Sequence, residues 1–213
     1  MKKKDFYSTS EIAKLCHVHR NTIILAIRKG DLRASTTPGG HNRINHEECV
    51  RVAKERGLPV LAFPGDEDGV GTGVESPAVV PSETGGRKKV LIVDDDDAVH
   101  KLVKKALDPN LFEVETASSG YDAGFKTSAF RPHLILLDVM LGDIDGGEVY
   151  TMLKENEFTR HIQILVITSI ADDEKIRQMF VDDVPVLKKP FRLKEVADRV
   201  HEMLGISRSG VAS

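Results

Sequence analysis

The chain has 213 residues, of which 40% are hydrophobic and 30% are charged, a composition typical of a protein that buries a core. No apolar run approaches the roughly 18 residues that a membrane span needs, and the lysines after Met1 lead into no apolar stretch typical of a secretory signal. Two cysteines, Cys16 and Cys49, are too few for a disulfide framework and have no metal-binding spacing. These features predict a cytoplasmic protein without a membrane partner.

The net charge of −3 hides an asymmetry along the chain. Residues 1–60 carry twelve Lys and Arg against six Asp and Glu, a net charge of +6, whereas residues 61–86 carry five acids and no base. Residues 87–213 carry eighteen bases and twenty-two acids, a net charge of −4. A small basic part joined to a larger acidic part predicts that the N-terminal part faces a polyanion.

The basic part, residues 5–59, has the pattern of a small, mainly α-helical domain. Ser8-Thr9-Ser10-Glu11 fits a capping box at the start of a first helix, and a break at residues 17–19 follows. A second helix is predicted over Arg20–Lys29, with Gly30 at its C-terminal end. The remaining predictions are a hairpin, Leu32–Thr36 and Asn42–Ile44 around the turn at 37–40, and a third helix capped by Asn45 that runs to about Arg56.

Between the two parts, residues 60–86 are rich in Gly, Pro, Ser and acids and show no period. This composition predicts a flexible acidic linker, and a disordered tail is predicted for residues 207–213. The intervening residues 87–206 are predicted to form a second domain.

The second domain alternates continuous apolar runs with amphipathic stretches. Continuous rather than alternating apolar strands are typical of strands buried on both faces, so the pattern predicts a doubly wound parallel sheet. The predicted strands are Val90–Val93, Phe112–Thr116, Leu134–Leu137, Ile164–Ile167 and Val184–Leu187. The predicted helices are Asp97–Leu107, Tyr121–Ala129, Glu148–Glu155, Asp173–Phe180 and Leu193–Leu204.

Three of these strands end in residues suited to phosphate chemistry. The first ends at Asp94-Asp95, the third at Asp138 and the fourth at Thr168, while Lys189 follows the fifth. Parallel strands bring their carboxyl ends to one edge of the sheet, where ligands bind. Crowded carboxylates call for a cation, and Mg²⁺ suits a few carboxylates together with phosphate oxygens. The sequence therefore predicts a magnesium site at which one carboxylate can attack phosphorus.

The second domain resembles response-regulator receiver domains over about 120 residues. The matching pieces are residues 90–96, residues 134–141, Asp145-Gly146, residues 166–169 and Lys189-Pro190-Phe191. The resemblance implies an α/β flavodoxin-like (βα)5 fold with a parallel sheet in the order 2-1-3-4-5. It also implies site roles: Asp138 as phosphoacceptor; Asp94, Asp95, Asp138 and the Met140 backbone oxygen as Mg²⁺ ligands; Thr168 and Lys189 as phosphoryl-stabilising residues; and a cis bond before Pro190.

The sequence departs from the receiver pattern in the loops and near the fifth strand. Gly142 stands where the family commonly has proline, so that loop is expected to be looser. Val186 stands at the usual aromatic switch position. A rotating aromatic ring therefore cannot report phosphorylation here. Lys188 is interpreted as solvent-facing.

Two helices, a tight turn between them and a hairpin describe a winged helix-turn-helix domain. The wing, Thr-Pro-Gly-Gly-His-x-Arg at residues 37–43, resembles that of the mercury-resistance-regulator and excisionase superfamily, as does the opening at residues 7–13. Arg20 and Asn21 are candidates for reading base edges, and Thr22 and Arg28 for touching phosphates. The other predicted DNA-binding residues are His19, which replaces the usual Ser or Thr cap, and His41 and Arg43 in the wing.

These features together predict a transcription factor of the two-component type. A sensor histidine kinase would phosphorylate Asp138, and dimers or arrays would form on DNA; no turnover of an external substrate is expected. Two alternatives remain open. One is a receiver-containing adaptor whose small domain binds protein, and the other is a phosphate-independent DNA-binding or architectural protein.

Overall fold

The computed structural model describes residues 4–56, 86–142, 144–180 and 184–206. The chain divides into two compact units, with the division between Gly85 and Gly86. The predicted linker at 60–86, except Gly86, and the predicted tail at 207–213 lie outside the described residues. Among the helices in these ranges, none is both long enough and apolar enough to cross a membrane.

The N-terminal unit combines three helices with a small antiparallel sheet of order β1-β3-β2. The hairpin is confirmed, although its first strand is shorter than predicted. Strand β1 was not predicted: its Tyr7 pairs with Ile44, and three residues are too few to show a period. The elements are β1 (Phe6–Ser8), α1 (Thr9–Leu15), α2 (Arg20–Lys29), β2 (Ser35–Thr36), β3 (Asn42–Asn45) and α3 (His46–Glu55).

The helix ends of this unit follow the predicted capping signals. Ser8 and Glu11 form a capping box at α1, and Asn45 Oδ1 accepts a hydrogen bond from the Glu48 backbone N–H at α3. His19 caps α2, since its Nδ1 accepts a hydrogen bond from the Asn21 N–H at 3.2 Å. Gly30 ends α2 with φ of 79°, a left-handed conformation that costs glycine little. An imidazole therefore fills the role usually taken by a hydroxyl.

A buried carboxylate ties α3 to the segment that precedes the hairpin. The Glu48 carboxylate, 8% exposed, accepts hydrogen bonds from the Arg33 backbone N–H at 2.8 Å and from the Arg51 guanidinium. Arg51 also donates to the Asp31 carbonyl and to Glu55. Hydrogen bonds from Arg51 hold the pKa of Glu48 below its ordinary value. The ionised form of Glu48 is thus the one that stabilises this corner of the unit.

Replacing Glu48 with glutamine is expected to lower the free energy of unfolding of the N-terminal unit by about 1–3 kcal/mol. The amide keeps one acceptor oxygen, but it loses the negative charge, and its NH2 group donates where the second carboxylate oxygen accepted. Urea unfolding followed by circular dichroism measures this. Glu55→Gln is the matched control, since Glu55 pairs with the same Arg51 but is 56% exposed, and such pairs contribute about 0–1 kcal/mol.

The stability difference between the wild type and Glu48→Gln is expected to depend on pH. Because folding lowers the pKa of Glu48, its stabilisation is present above the ordinary pKa of about 4.3 and is lost as the pH falls through the lower folded value. The stability difference between the wild type and Glu48→Gln should therefore shrink below about pH 4. A difference that grows on acidification would contradict this assignment.

The C-terminal unit is a five-stranded parallel sheet of order β5-β4-β6-β7-β8. Numbered within the unit, this is the predicted order 2-1-3-4-5, which is confirmed. The strands are β4 (Lys88–Val93), β5 (Phe112–Ala117), β6 (Leu134–Asp138), β7 (Gln163–Thr168) and β8 (Val186–Lys188). The helices are α4 (Asp97–Ala106), α5 (Gly120–Phe130), α6 (Gly146–Glu155), α7 (Asp173–Met179) and α8 (Leu193–Met203).

Helices cover both faces of this sheet, as the continuous apolar strands predicted. On one face, Val103 of α4 and Val200 of α8 pack against β4 and β6. On the other face, side chains of α5, α6 and α7, including Phe130, Tyr150 and Ile176, pack against the opposite side of the same strands. The central strands are therefore fixed in place, and their carboxyl ends are rigid supports for a site.

Candidate functional site

Three carboxylates meet at the carboxyl edge of the sheet. Asp94 directly follows β4 and is 0% exposed, and Asp138 ends β6 and is 4% exposed, whereas Asp95 is exposed. One oxygen from each of Asp94, Asp95 and Asp138 lies within 4.8 Å of the others. Two buried acids and one at the surface form a donor set that opens to solvent on one side.

Lys189 joins the two buried acids. Its Nζ lies 2.7 Å from Asp94 Oδ2 and 2.8 Å from Asp138 Oδ2. Its backbone N–H donates to the Thr168 carbonyl at 2.8 Å, which fixes the residue beside the end of β7. The bond between Lys189 and Pro190 is cis, as predicted. Residues predicted separately at three strand ends and in the segment after β8 are thus in direct contact.

Burial and charge compete at this site. Burial raises the pKa of Asp94 despite the hydrogen bond from Lys189. Burial opposes the charge on Lys189 too, but hydrogen bonds to Asp138 and Asp94 outweigh it, so the pKa of Lys189 is raised. The lysine is therefore charged at neutral pH and offsets part of the negative charge around it. A further cation among the carboxylates would offset the rest.

Met140 and Thr168 border the carboxylates. The Met140 backbone N–H donates to Asp138 Oδ1 at 3.2 Å, and its side chain is exposed. Thr168 is 0% exposed, and its Oγ1 accepts a hydrogen bond from the Ile170 N–H at 3.0 Å. The Thr168 hydroxyl is thus hydrogen-bonded to the loop that leads to α7.

The two positions that depart from the receiver pattern have different surroundings. A Cβ on Gly142 would meet nothing closer than Asp95 Oδ2 at 3.6 Å, so this loop leaves room beside the exposed carboxylate. Val186 is partly buried and packs against the hydrophobic core on the α6 side of the sheet.

Lys188 is solvent-exposed, as predicted, and it also makes two contacts that the sequence did not indicate. Its side chain is 45% exposed, yet its Nζ lies 2.5 Å from Asp173 Oδ1 and 2.9 Å from the Ala171 carbonyl. The hydrogen bond from Lys188 lowers the pKa of Asp173. Lys188 therefore connects β8 to the start of α7, a contact between distant residues that no sequence period marks.

In the N-terminal unit, the predicted contact residues divide by exposure. Arg20, Asn21, Arg28 and His41 are exposed, and His19 and Arg43 are partly exposed. Thr22 is only 3% exposed, so the prediction that it touches phosphate is wrong: its position on α2 faces the core, beside Ile23. Within residues 4–56, Arg20, Arg28 and Arg43 form no ion pair, whereas Arg51 and Arg56 do.

A cleft of about 360 Å³ lies between α2 and the wing. It brings together three of the predicted contact residues, Arg20, His41 and Arg43, and none of its lining residues is acidic. The other lining residues are Ser8, Thr9, Ser10, Ile24, Gly40 and Asn42. Residues 8–10 were not predicted to lie at a DNA-contact surface, because their sequence indicated only the start of a helix.

The profile of the family described as "Response regulator receiver domain" matches residues 90–201, slightly more than half of the chain. The chain belongs to this family. Residues 6–56 match a second family, described as "Helix-turn-helix domain". The receiver resemblance and the presence of an N-terminal helix-turn-helix domain are therefore both confirmed.

Curated relatives match somewhat more than half of this response regulator. The alkaline phosphatase synthesis transcriptional regulatory protein PhoP of Bacillus subtilis is 34% identical over 127 residues, which cover 59% of this chain and 51% of PhoP. This chain thus spans about half of PhoP. The polar-differentiation response regulator DivK of Brucella ovis is 31% identical over 121 residues, which cover 55% of this chain and 97% of DivK.

Solved structures of response regulators share the receiver fold. A response regulator from Chloroflexus aurantiacus is 30% identical with a TM-score of 0.52, over 56% of this chain and 99% of that one. The phosphorylated cyanobacterial phytochrome response regulator RcpA is 26% identical with a TM-score of 0.51, over 57% of this chain and 97% of that one.

Proposed function

We propose that this response regulator accepts a phosphoryl group on Asp138 from a sensor histidine kinase and regulates transcription by binding DNA through residues 5–59. The observation that carries the proposal is the contact of Lys189 with both Asp94 and Asp138, beside Asp95. RcpA, a structural relative, is described as phosphorylated, and PhoP is described as a transcriptional regulator. The proposed boundaries are 5–59 and 87–206, joined by the linker at 60–86.

In the proposed reaction, a carboxylate oxygen of Asp138 forms a bond to phosphorus as the bond between phosphorus and the donor atom breaks. The product is an acyl phosphate, and the donor leaves with the electron pair of the broken bond. The Lys189 ammonium, already 2.8 Å from Asp138, neutralises charge on the transferred oxygens. The reaction modifies the chain itself, so no turnover of an external substrate is proposed.

The acidic residues fit a magnesium ion. Asp94, Asp95 and Asp138 offer carboxylate oxygens at mutual distances within 4.8 Å, and Asp95 is exposed to solvent. With the Met140 carbonyl, these three residues are the proposed ligands. When bound, Mg²⁺ supplies positive charge that draws phosphate oxygens to the site.

Asp95→Asn is expected to weaken Mg²⁺ binding by about tenfold or more, because one full charge is removed from a small cation site. Isothermal titration calorimetry with MgCl₂ measures the effect. Asp97→Asn is the matched control, because Asp97 is an exposed acid in the first turn of α4 and lies outside the carboxylate cluster. An equal loss of Mg²⁺ affinity in Asp95→Asn and Asp97→Asn would contradict the assignment of Asp95 as a ligand.

DNA is the proposed partner of the N-terminal unit because exposed or partly exposed arginines without acid partners in residues 4–56 lie on α2 and the wing. A mobility shift at rising salt, with Arg43→Ala beside the wild type, tests the proposal. Binding that is weakened by salt and by the substitution supports DNA; binding that is unaffected by either favours the adaptor.

Val186 favours a second candidate function, in which DNA binding does not depend on phosphorylation of the receiver. Without an aromatic ring at this position, the usual route from the phosphoryl site to the outer face of β8 is missing. Equal DNA affinity before and after phosphorylation would favour this candidate. A change in affinity or in self-association would favour a phosphorylation-controlled regulator that pairs on DNA.

A further inference from the structure

The cleft of the N-terminal unit has three walls that come from different segments. The first wall is the turn of chain at Ser8–Ser10, the second is the start of α2 with Arg20 and Ile24, and the third is the wing at Gly40–Arg43. Hydroxyl groups, two guanidinium groups and an imidazole thus surround one opening of about 360 Å³. No carboxylate lines the opening to compete for these donors.

Arg20 is directed by a contact outside its own helix. Its Nε lies 3.4 Å from Thr9 Oγ1, to which it donates. Thr9 is 7% exposed and lines the cleft, so its hydroxyl is a largely buried partner for the Arg20 side chain. This contact occupies the Nε–H and leaves the two terminal amino groups of the guanidinium for a ligand. Arg20 is therefore drawn back against α1 rather than extended away from the start of α2.

Arg43 lines the same cleft from the wing. Its Nη1 lies 3.5 Å from the neighbouring Asn42 carbonyl, and no acid in residues 4–56 pairs with it. Exposed His41 lies beside Gly40, which adopts a φ of 77° that turns the wing. Two guanidinium groups that line one cleft from different segments match an anion that presents oxygens in two directions, as a phosphodiester does.

We infer that this cleft binds a phosphodiester group of the DNA backbone, with Arg20 and Arg43 contacting it from two sides and Thr9 positioning Arg20. The inference rests on the proposed DNA-binding function and changes one of its details. Arg20 was expected to read a base edge; in this arrangement it contacts phosphate, and base reading is left to Asn21 on the exposed first turn of α2.

The test measures the affinity of the full chain for a pool of random-sequence duplexes, and for the sequences selected from that pool, over a range of salt concentrations. Arg20→Ala is expected to weaken binding by about fivefold for all sequences at 0.15 M salt, and to reduce the slope of log affinity against log salt by about one. Lys54→Ala is the control, since Lys54 is an exposed cation of α3 that does not line the cleft; its slope should stay at the wild-type value.

The positioning role of Thr9 has its own readout. Thr9→Val should lower affinity by less than Arg20→Ala does and should cause no further loss when combined with it, because both changes remove the same contact. Thr9→Ser keeps the hydroxyl and should restore wild-type affinity. If Thr9→Val proves too unstable to assay, the serine variant and the Arg20→Ala slope still decide the question.

The outcomes separate the inference from the function on which it rests. A wild-type chain that binds no duplex refutes DNA binding and the phosphodiester site together. A wild-type chain that binds DNA, while Arg20→Ala relaxes the preference for one base and keeps the salt slope, refutes only the phosphodiester site. Additive losses in the Thr9→Val and Arg20→Ala double variant refute the positioning role.

Discussion

Asp138→Asn is expected to abolish phosphorylation of the chain by acetyl phosphate in the presence of Mg²⁺. The amide that replaces the carboxylate is a poor nucleophile. Neither of the other two acids can substitute: Asp95 forms no ion pair with Lys189, and Asp94, which does, is 0% exposed and has its second oxygen engaged by the Asp96 N–H. Intact-mass spectrometry after incubation with the phosphodonor measures the modified fraction.

The control for this variant is Asp96→Asn, in the same loop. Asp96 caps α4 by accepting a hydrogen bond from the Ala98 N–H at 2.8 Å, and it lies outside the carboxylate cluster. This variant should lose some helix-cap stability, about 1 kcal/mol at most, yet accept phosphate as the wild type does. Phosphorylation of Asp138→Asn to the wild-type extent would show that another residue is the acceptor.

Gly146→Ala is expected to destabilise the C-terminal unit by about 3 kcal/mol or more, the upper range for overpacking. A Cβ at this position would lie 2.4 Å from the Asp138 carbonyl oxygen and 2.6 Å from Val139 Cα. Both are backbone atoms at the end of β6, so no side-chain rotation relieves the clash. Alanine's helix preference over glycine, about 1 kcal/mol, is too small to compensate.

Gly142→Ala separates this effect from a general intolerance of alanine near the site. Its Cβ would lie 3.6 Å from Asp95 Oδ2, an ordinary contact. Urea unfolding should therefore give a free energy for Gly142→Ala within about 1 kcal/mol of the wild type, and a much lower one for Gly146→Ala. Similar free energies for the two variants would mean that the close packing of α6 on β6 is not maintained in solution.

The sequence predicted the C-terminal unit well because its signals are local and strong. The strands β4 and β6 are continuous apolar runs that end in acids, so both their burial and the meeting of Asp94 with Asp138 could be inferred. The strand order came from the resemblance to receivers, since periodicity alone does not rank parallel strands. The shift of β8 to Val186–Lys188 was missed because Val184 and Pro185 extend the same apolar run.

Contacts between distant residues were not predictable in the same way. Lys188 lies fifteen residues after Asp173, and nothing in either segment indicates that they pair. Thr9 and Arg20 lie on different helices, so the contact that redirects the arginine depends on how α1 packs on α2. Thr22 was misassigned because polarity was taken as exposure, although it lies on the face of α2 that packs against the core.

Locating the phosphoryl group in the wild-type chain tests the central claim most directly. After reaction with acetyl phosphate and Mg²⁺, proteolysis at low temperature and peptide mass spectrometry should find the modification on the peptide that contains Asp138. A modification found elsewhere, or none at any donor concentration, would contradict the account of the carboxylates and Lys189 as a phosphoryl-accepting site.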